Sequence, residues 1–165
     1  MTLPAPLRLH PTGVEALLQD VLRYGQRDLE TGGLLLTAPG HRDTVVLALA
    51  GTAGIQRQTG LFVITMPALD SIFTYAEESG LQARAMVHSH KRTAFLSRTD
   101  RERGLRVRGF LSAVIPTYAD PPRHPDRWGW WRHDSDWHPV EPAALNSTLP
   151  ATRIVTFGAD GVREH

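Results

Sequence analysis

Two histidines one residue apart, His88-Ser89-His90, and an acidic residue at the end of Ser97-Arg98-Thr99-Asp100 are the residues of this chain best placed to do chemistry. Successive side chains on a strand alternate between faces, so His88 and His90 aim at one point while Ser89 points the other way. A helix starting near Ser97 puts Asp100 in its first turn, within reach as a third ligand. Two imidazole nitrogens and one carboxylate oxygen leave a tetrahedral zinc with one open position, the arrangement of catalytic rather than structural sites. Water held there has its pKa lowered from about 16 to about 7. A nearby carboxylate can then manage its protons, and Glu30 is the candidate.

Each half of this pattern has a plainer explanation. His-x-His on a strand is more often a pair of surface histidines, and Ser-x-x-Asp is also a helix cap with an acidic third residue. The conjunction is what points to metal. A capping Asp is compatible with ligation, because one oxygen can accept from the helix N-terminus while the other faces the ion.

The elements that must position these groups follow from the apolar spacing. Thr12-Gly13-Val14-Glu15 has the form of a capping box, followed by Val14, Leu17, Leu18, Val21 and Leu22 at helical spacing up to Gly25. Thr31-Gly32-Gly33 leads into a strand at Leu34 to Thr37, and Pro39-Gly40 turns the chain into a second strand, Thr44 to Ala50. After a loop from Gly51 to Gly60, Leu61 to Ile64 is a strand, and Thr65 caps a helix carrying Leu69, Ile72, Phe73 and Ala76. Ala83 to Val87 runs straight into the histidines. Ser97 to about Arg103 is a short helix, Phe110 to Ile115 a buried strand, and Trp128 to Arg132 with Trp137 to Val140 a late hairpin. The tail from Arg153 to Gly161 supplies one last strand or a segment for a partner. The fold class is mixed α and β.

With 165 residues, 41% of them hydrophobic, the chain is sized for a single domain, 1–165. The motif-bearing part spans about 7–115, with the C-terminal hairpin and tail at 116–165. The absence of cysteine excludes disulfides, thiolate metal sites and a cysteine nucleophile, so any metal must use His, Asp and Glu. Met1 to His10 holds no apolar core of signal-peptide length, and the longest apolar run, Val45 to Ala50, is far short of the about 20 residues that span a bilayer. These features predict a soluble, cytoplasmic protein without a membrane partner.

Net charge is +1, but Lys91 to Arg108 carries seven basic residues against Asp100 and Glu102. A solvated face laced with ion pairs explains most of them, and a basic rim that steers an acidic partner is the sharper alternative. His124, His133 and His138 lie among Asp126, Asp134 and Asp136 in Pro-rich surroundings that predict exposed loop residues and no second metal. Trp128, Trp130, Trp131 and Trp137 are expected to pack in the core or on a sheet face rather than to stack nucleobases.

Taken in order, Glu30-Thr31-Gly32-Gly33 before a strand, His88-Ser89-His90 and Ser97-x-x-Asp100 resemble the signature of the JAMM metalloproteases, also called JAB or MPN domains. The resemblance covers roughly Leu7 to Ile115. It implies a curved mixed sheet flanked by helices and one Zn²⁺ per chain held by His88, His90 and Asp100. It also implies Glu30 as general acid and base and Ser97 as a donor to the oxyanion. Two departures from the family pattern are Lys91, where Pro usually follows the second histidine, and a short spacer before Ser97. Lys91 should point outward, since its ammonium is repelled by the cation. Gly32 and Gly33 are expected to serve only the tight start of the strand.

The resemblance further implies a substrate: the peptide or isopeptide bond after the C-terminus of a ubiquitin-like protein, cut in deconjugation or in precursor processing. Activating or conjugating enzymes of the same pathway are the implied further partners. An extended tail could add as a strand beside an exposed sheet edge, with the loops Gly51 to Gly60 and Pro116 to Pro125 holding its folded part. The alternatives are a nucleic-acid-binding protein resting on the arginine cluster, a noncatalytic scaffold, and a small-molecule amidase.

Overall fold

The computed structural model describes residues 6–165, so the first half of the stretch read for a signal segment lies outside the described residues. Helix α1, Pro11–Gly25, is followed by β1, Gly32–Thr37, and β2, Thr44–Ala50. Then come β3, Ile55–Gln58, β4, Leu61–Ile64, and α2, Met66–Glu78. β5, Gln82–Ser89, leads to the short α3, Arg98–Arg103, and to β6, Leu111–Ile115. The chain ends with β7, Gly129–Asp134, β8, Asp136–Pro139, β9, Arg153–Gly158, and β10, Gly161–Glu164.

One mixed sheet of eight strands carries the architecture, in the order β10-β9-β2-β1-β5-β6-β7-β8, and β3 and β4 form a separate hairpin. β1 lies at the centre, antiparallel to both β2 and β5, while β6 runs parallel to β5 and β9 parallel to β2. The sheet therefore draws strands from both the motif-bearing part and the C-terminal part of the chain.

Alternation along the strands divides the core in two. Leu35, Leu47, Ala85, Val87 and Ala113 pack against Val14, Leu17 and Val21 of α1. Leu34, Leu36, Val46 and Val114 face the opposite side, against Ala68, Leu69 and Ile72 of α2 and Trp137 of β8. Fully burying each leucine, valine or isoleucine side chain here contributes about 1.5–3 kcal/mol.

Four local expectations need correction. The N-cap of α1 is His10, not Thr12, because Pro11 fits the first helical position and the His10 ring accepts from Thr12 N–H. Thr65 caps α2 by position only; its hydroxyl donates to the Gly54 carbonyl at 2.7 Å instead. The Gly51 to Gly60 segment contains β3, whose half-exposed Gln- and Arg-bearing sequence hides its strand character. The tail forms two strands, with β9 joining β2 in parallel, a long-range pairing with no local signal.

The late hairpin forms as expected and buries Trp128, Trp130 and Trp137. His133 and His138, however, lie on strands rather than in loops, and His133 is buried edge-on against Trp137 at 4.9 Å. Among the described residues no helix is long and apolar enough to cross a membrane.

Candidate metal centre

β5 carries His88 on the face shared with α2 and α3, and His90 follows just past the strand end on the same side. His90 is held there by its own backbone, whose N–H donates to the Ile115 carbonyl at 2.8 Å. Asp100 arrives from α3. Ser97 is the N-cap of that helix and forms a reciprocal box with Asp100: Ser97 Oγ accepts from Asp100 N–H at 3.1 Å, and Asp100 Oδ2 accepts from Ser97 N–H at 3.0 Å. The cap and the acidic group that faces the histidines are thus one device.

The three donors meet closely. His88 Nε2 lies 3.1 Å from His90 Nε2, His90 Nε2 lies 3.1 Å from Asp100 Oδ2, and His88 Nε2 lies 3.2 Å from Asp100 Oδ1. The two histidines meet different oxygens of the Asp100 carboxylate, and each contact is close to the tetrahedral edge of about 3.3 Å that zinc with ligand bonds of about 2.05 Å requires. The Thr93 carbonyl, 3.1 Å from His90 Nδ1, accepts the ring N–H and leaves the Nε2 lone pair aimed at the other two groups. Lone pairs that converge this closely are stable together only around a proton or a cation. Glu30 completes the cluster, its carboxylate lying with the two histidine nitrogens in a group whose atoms are all within 4.8 Å of one another.

Electrostatics separates the two acids. Burial raises the Glu30 carboxyl above its ordinary value, and the nearby His88 and His90 offset this only in part. Burial also opposes charge on Asp100, but hydrogen bonds from His88 and His90, supported by Ser97 N–H, hold it well below the usual carboxylate range. One acid is thus disposed to carry a proton and the other to stay ionised. Burial disfavours the charged form of His90, yet contact with Asp100 and the charge of Glu30 raise its pKa overall.

The walls of the site are partly apolar. Phe62 of β4 stacks on His88 with ring centres 6.2 Å apart, and the half-exposed Phe95 meets His90 edge-on at 4.9 Å. A cleft beside His88 and Asp100 is bordered by Phe62, Leu105, Phe110 and Trp137. Residues from the two loops contact the segments next to Glu30 and His90. Thr59 lies against Asp28, and Tyr118 N–H donates to the His90 carbonyl at 3.0 Å.

The Lys91 side chain is half-exposed and pairs with Asp28 at 3.0 Å. Of the arginines around α3, Arg98 pairs with Glu102 and Arg108 with Asp134, both on the exposed surface, as a solvated face would. Gly32 and Gly33 have the structural role expected of them. A Cβ on Gly32 would stand 2.0 Å from the Val87 carbonyl oxygen, and one on Gly33 2.2 Å from that of Ala48.

Sequence reasoning missed the supports on the opposite sheet face. The Thr31 hydroxyl donates to buried Asp20 of α1 at 3.4 Å and accepts from Arg57 at 3.1 Å. Arg57 also caps the carbonyls of Ala50 and Gly51 and lies over the Tyr24 ring at 4.0 Å. The only local signal for this group was a lone arginine in a polar segment.

No family model matches the sequence, and no curated protein matches it. Among solved structures the chain is similar to protein DSY2949 from Desulfitobacterium hafniense, with a TM-score of 0.67 and 14% identity over 88% of this chain and 96% of that one. It is also similar to AF2198, a JAB1/MPN domain protein from Archaeoglobus fulgidus, with a TM-score of 0.48 and 14% identity over 84% of this chain and 99% of that one. The first of these likenesses shows a shared fold.

Proposed function

We propose that this chain is a zinc-dependent hydrolase of the JAMM type. Its substrate is the peptide or isopeptide bond after the C-terminus of a ubiquitin-like protein. The observation that carries the proposal is the convergence of His88 Nε2, His90 Nε2 and the Asp100 carboxylate at 3.1–3.2 Å with the buried Glu30 beside them. The order of the sequence motifs supports the same assignment.

His88, His90 and Asp100 would hold the ion, and zinc so held supplies a Lewis acid that polarises a carbonyl and makes water acidic. Glu30 takes the proton from the attacking water and delivers it to the departing amine nitrogen, one carboxyl serving both halves of amide cleavage. Its raised pKa suits it to carry that proton between the two events. Ser97 Oγ accepts from Asp100 N–H, which leaves the hydroxyl hydrogen to donate to the substrate oxygen as charge builds there. The walls formed by Phe62, Phe95 and Trp137 exclude water from the approaching chain.

The test is incubation of the zinc-loaded protein with fusions of ubiquitin-like proteins, with and without a chelator, beside a Glu30→Gln variant. The expected result is cleavage that needs metal and is lost in Glu30→Gln while zinc content is retained. Full-rate cleavage by Glu30→Gln, or inertness of the wild type on every such fusion, overturns the proposal. Binding of DNA or RNA that needs no metal and falls steeply with salt would favour the nucleic-acid alternative instead.

A further inference from the structure

Among the described residues, no side-chain hydrogen bond holds the Glu30 carboxylate, so the backbone on either side of it decides where it points. Two residues earlier, Asp28 occupies the left-handed region at φ 59. Its carboxylate gathers three groups from three other segments. Oδ1 accepts from the Tyr118 hydroxyl and lies 3.0 Å from Lys91 Nζ, and Oδ2 accepts from the Thr59 hydroxyl at 2.9 Å. The single Thr59 hydroxyl hydrogen is shared between that oxygen and the Asp28 backbone carbonyl, 2.5 Å away.

These partners lead directly to the metal centre. Lys91 follows His90 in sequence, and Tyr118, buried at 2% exposure, donates its backbone N–H to the His90 carbonyl. Thr117, next to Tyr118, is itself left-handed at φ 52, a conformation unfavourable for a β-branched residue, and its N–H donates to the Arg92 carbonyl at 2.9 Å. Only one other described non-glycine residue, Ser135, has a positive φ. Two of the three strained residues therefore sit at this junction, and strain of this kind persists where the surroundings over-determine the backbone. The exposed ion pair with Lys91 contributes little to global stability by itself. The buried phenol and the left-handed backbone are what give the junction a fixed geometry.

We propose that Asp28 is a positioning residue, a latch that ties the segment ahead of Glu30 to the segment after His90 and so sets the acid over the histidine pair. This rests on the hydrolase assignment for its catalytic consequence, but not for the latch itself. Lys91, next after His90, joins the latch through its ionic contact with Asp28 on the exposed side of the junction.

The test compares Tyr118→Phe, which removes one hydroxyl, with Asp28→Gly, which keeps the left-handed backbone but deletes the carboxylate, and with Asp28→Asn, which keeps acceptor oxygen. Amide hydrogen exchange is followed in the metal-free protein, and cleavage of a ubiquitin-like fusion in the zinc-loaded protein. Tyr118→Phe and Asp28→Gly should each speed exchange at Leu29 to Thr31 about tenfold, with exchange in β6 unchanged. In the same variants kcat should fall about tenfold or more at constant KM and zinc content, and Asp28→Asn should recover most of both losses. Unchanged exchange at Leu29 to Thr31, or exchange that rises equally across the sheet, overturns the latch, and faster local exchange with unaltered kcat overturns its role in positioning Glu30. If Glu30→Gln cleaves normally, the hydrolase assignment fails, and the exchange comparison still decides whether Asp28 holds the junction.

Discussion

Ser89 Oγ is bonded to both backbone groups of Thr31, accepting from its N–H at 3.0 Å and donating to its carbonyl at 3.3 Å. Ser89 stands between the two histidines and Thr31 follows Glu30, so this one hydroxyl ties the candidate acid to the candidate ligands from the far face of the sheet. Ser89→Ala leaves the fully buried Thr31 N–H without that partner, at a cost of about 1–3 kcal/mol. Urea denaturation should show this loss, and Ser89→Thr, which keeps the hydroxyl, should lose less.

Gly32→Ala tests the closeness of β1 and β5. Its Cβ would fall 2.0 Å from the Val87 carbonyl oxygen, opposite His88 in the register. Backbone must move, so the expected loss is about 3 kcal/mol or more, with zinc uptake falling alongside stability in the same preparation. A variant as stable as the wild type would contradict the register.

Zinc affinity should report the capping box. Ser97→Ala removes the acceptor for Asp100 N–H, costing about 1 kcal/mol of helix stability, and loosens the helix start that carries the carboxylate, which keeps only the backbone N–H of residue 97 as its cap contact. Competition with a chromophoric chelator should show affinity about tenfold or more below wild type. His88→Ala and Asp100→Asn should fall much further, since each removes a donor.

The same affinity should depend on pH in a defined direction. His90 has a folded pKa raised above its ordinary 6.5, because contact with Asp100 and the charge of Glu30 outweigh its burial. Protons therefore compete with zinc for His90 from above pH 6.5 downward. Affinity should be full above the folded value and fall by about tenfold per unit below it for each proton displaced.

Glu30 should be a liability to the metal-free fold. Burial raises its carboxyl above the ordinary 4.5, so the native state binds this proton more tightly than the unfolded chain. Its contribution to stability is present below pH 4.5 and is lost as pH rises through the folded value. Metal-free Glu30→Gln should therefore melt a few degrees above wild type at pH 7, and the gap should close toward pH 4.

The histidine pair, the Ser97 cap and Asp100 were legible in the sequence because each depends on spacing within one strand or one turn. α1, α2 and β5 were legible for the same reason, their apolar periods being unbroken. The parallel pairing of β9 with β2 was not, since it joins residues about a hundred positions apart through a ladder that leaves no pattern in either strand. Asp28 was equally silent. Its partners Thr59, Lys91 and Tyr118 come from three separate turns, and only the folded backbone brings them to one carboxylate.

The most direct measurement of the central claim is an anomalous difference map at the zinc edge, from crystals of the protein grown with one equivalent of zinc. The account requires a single strong peak in contact with His88 Nε2, His90 Nε2 and the Asp100 carboxylate, with Glu30 beside it. A peak at another group of side chains, or none at these three, would contradict it.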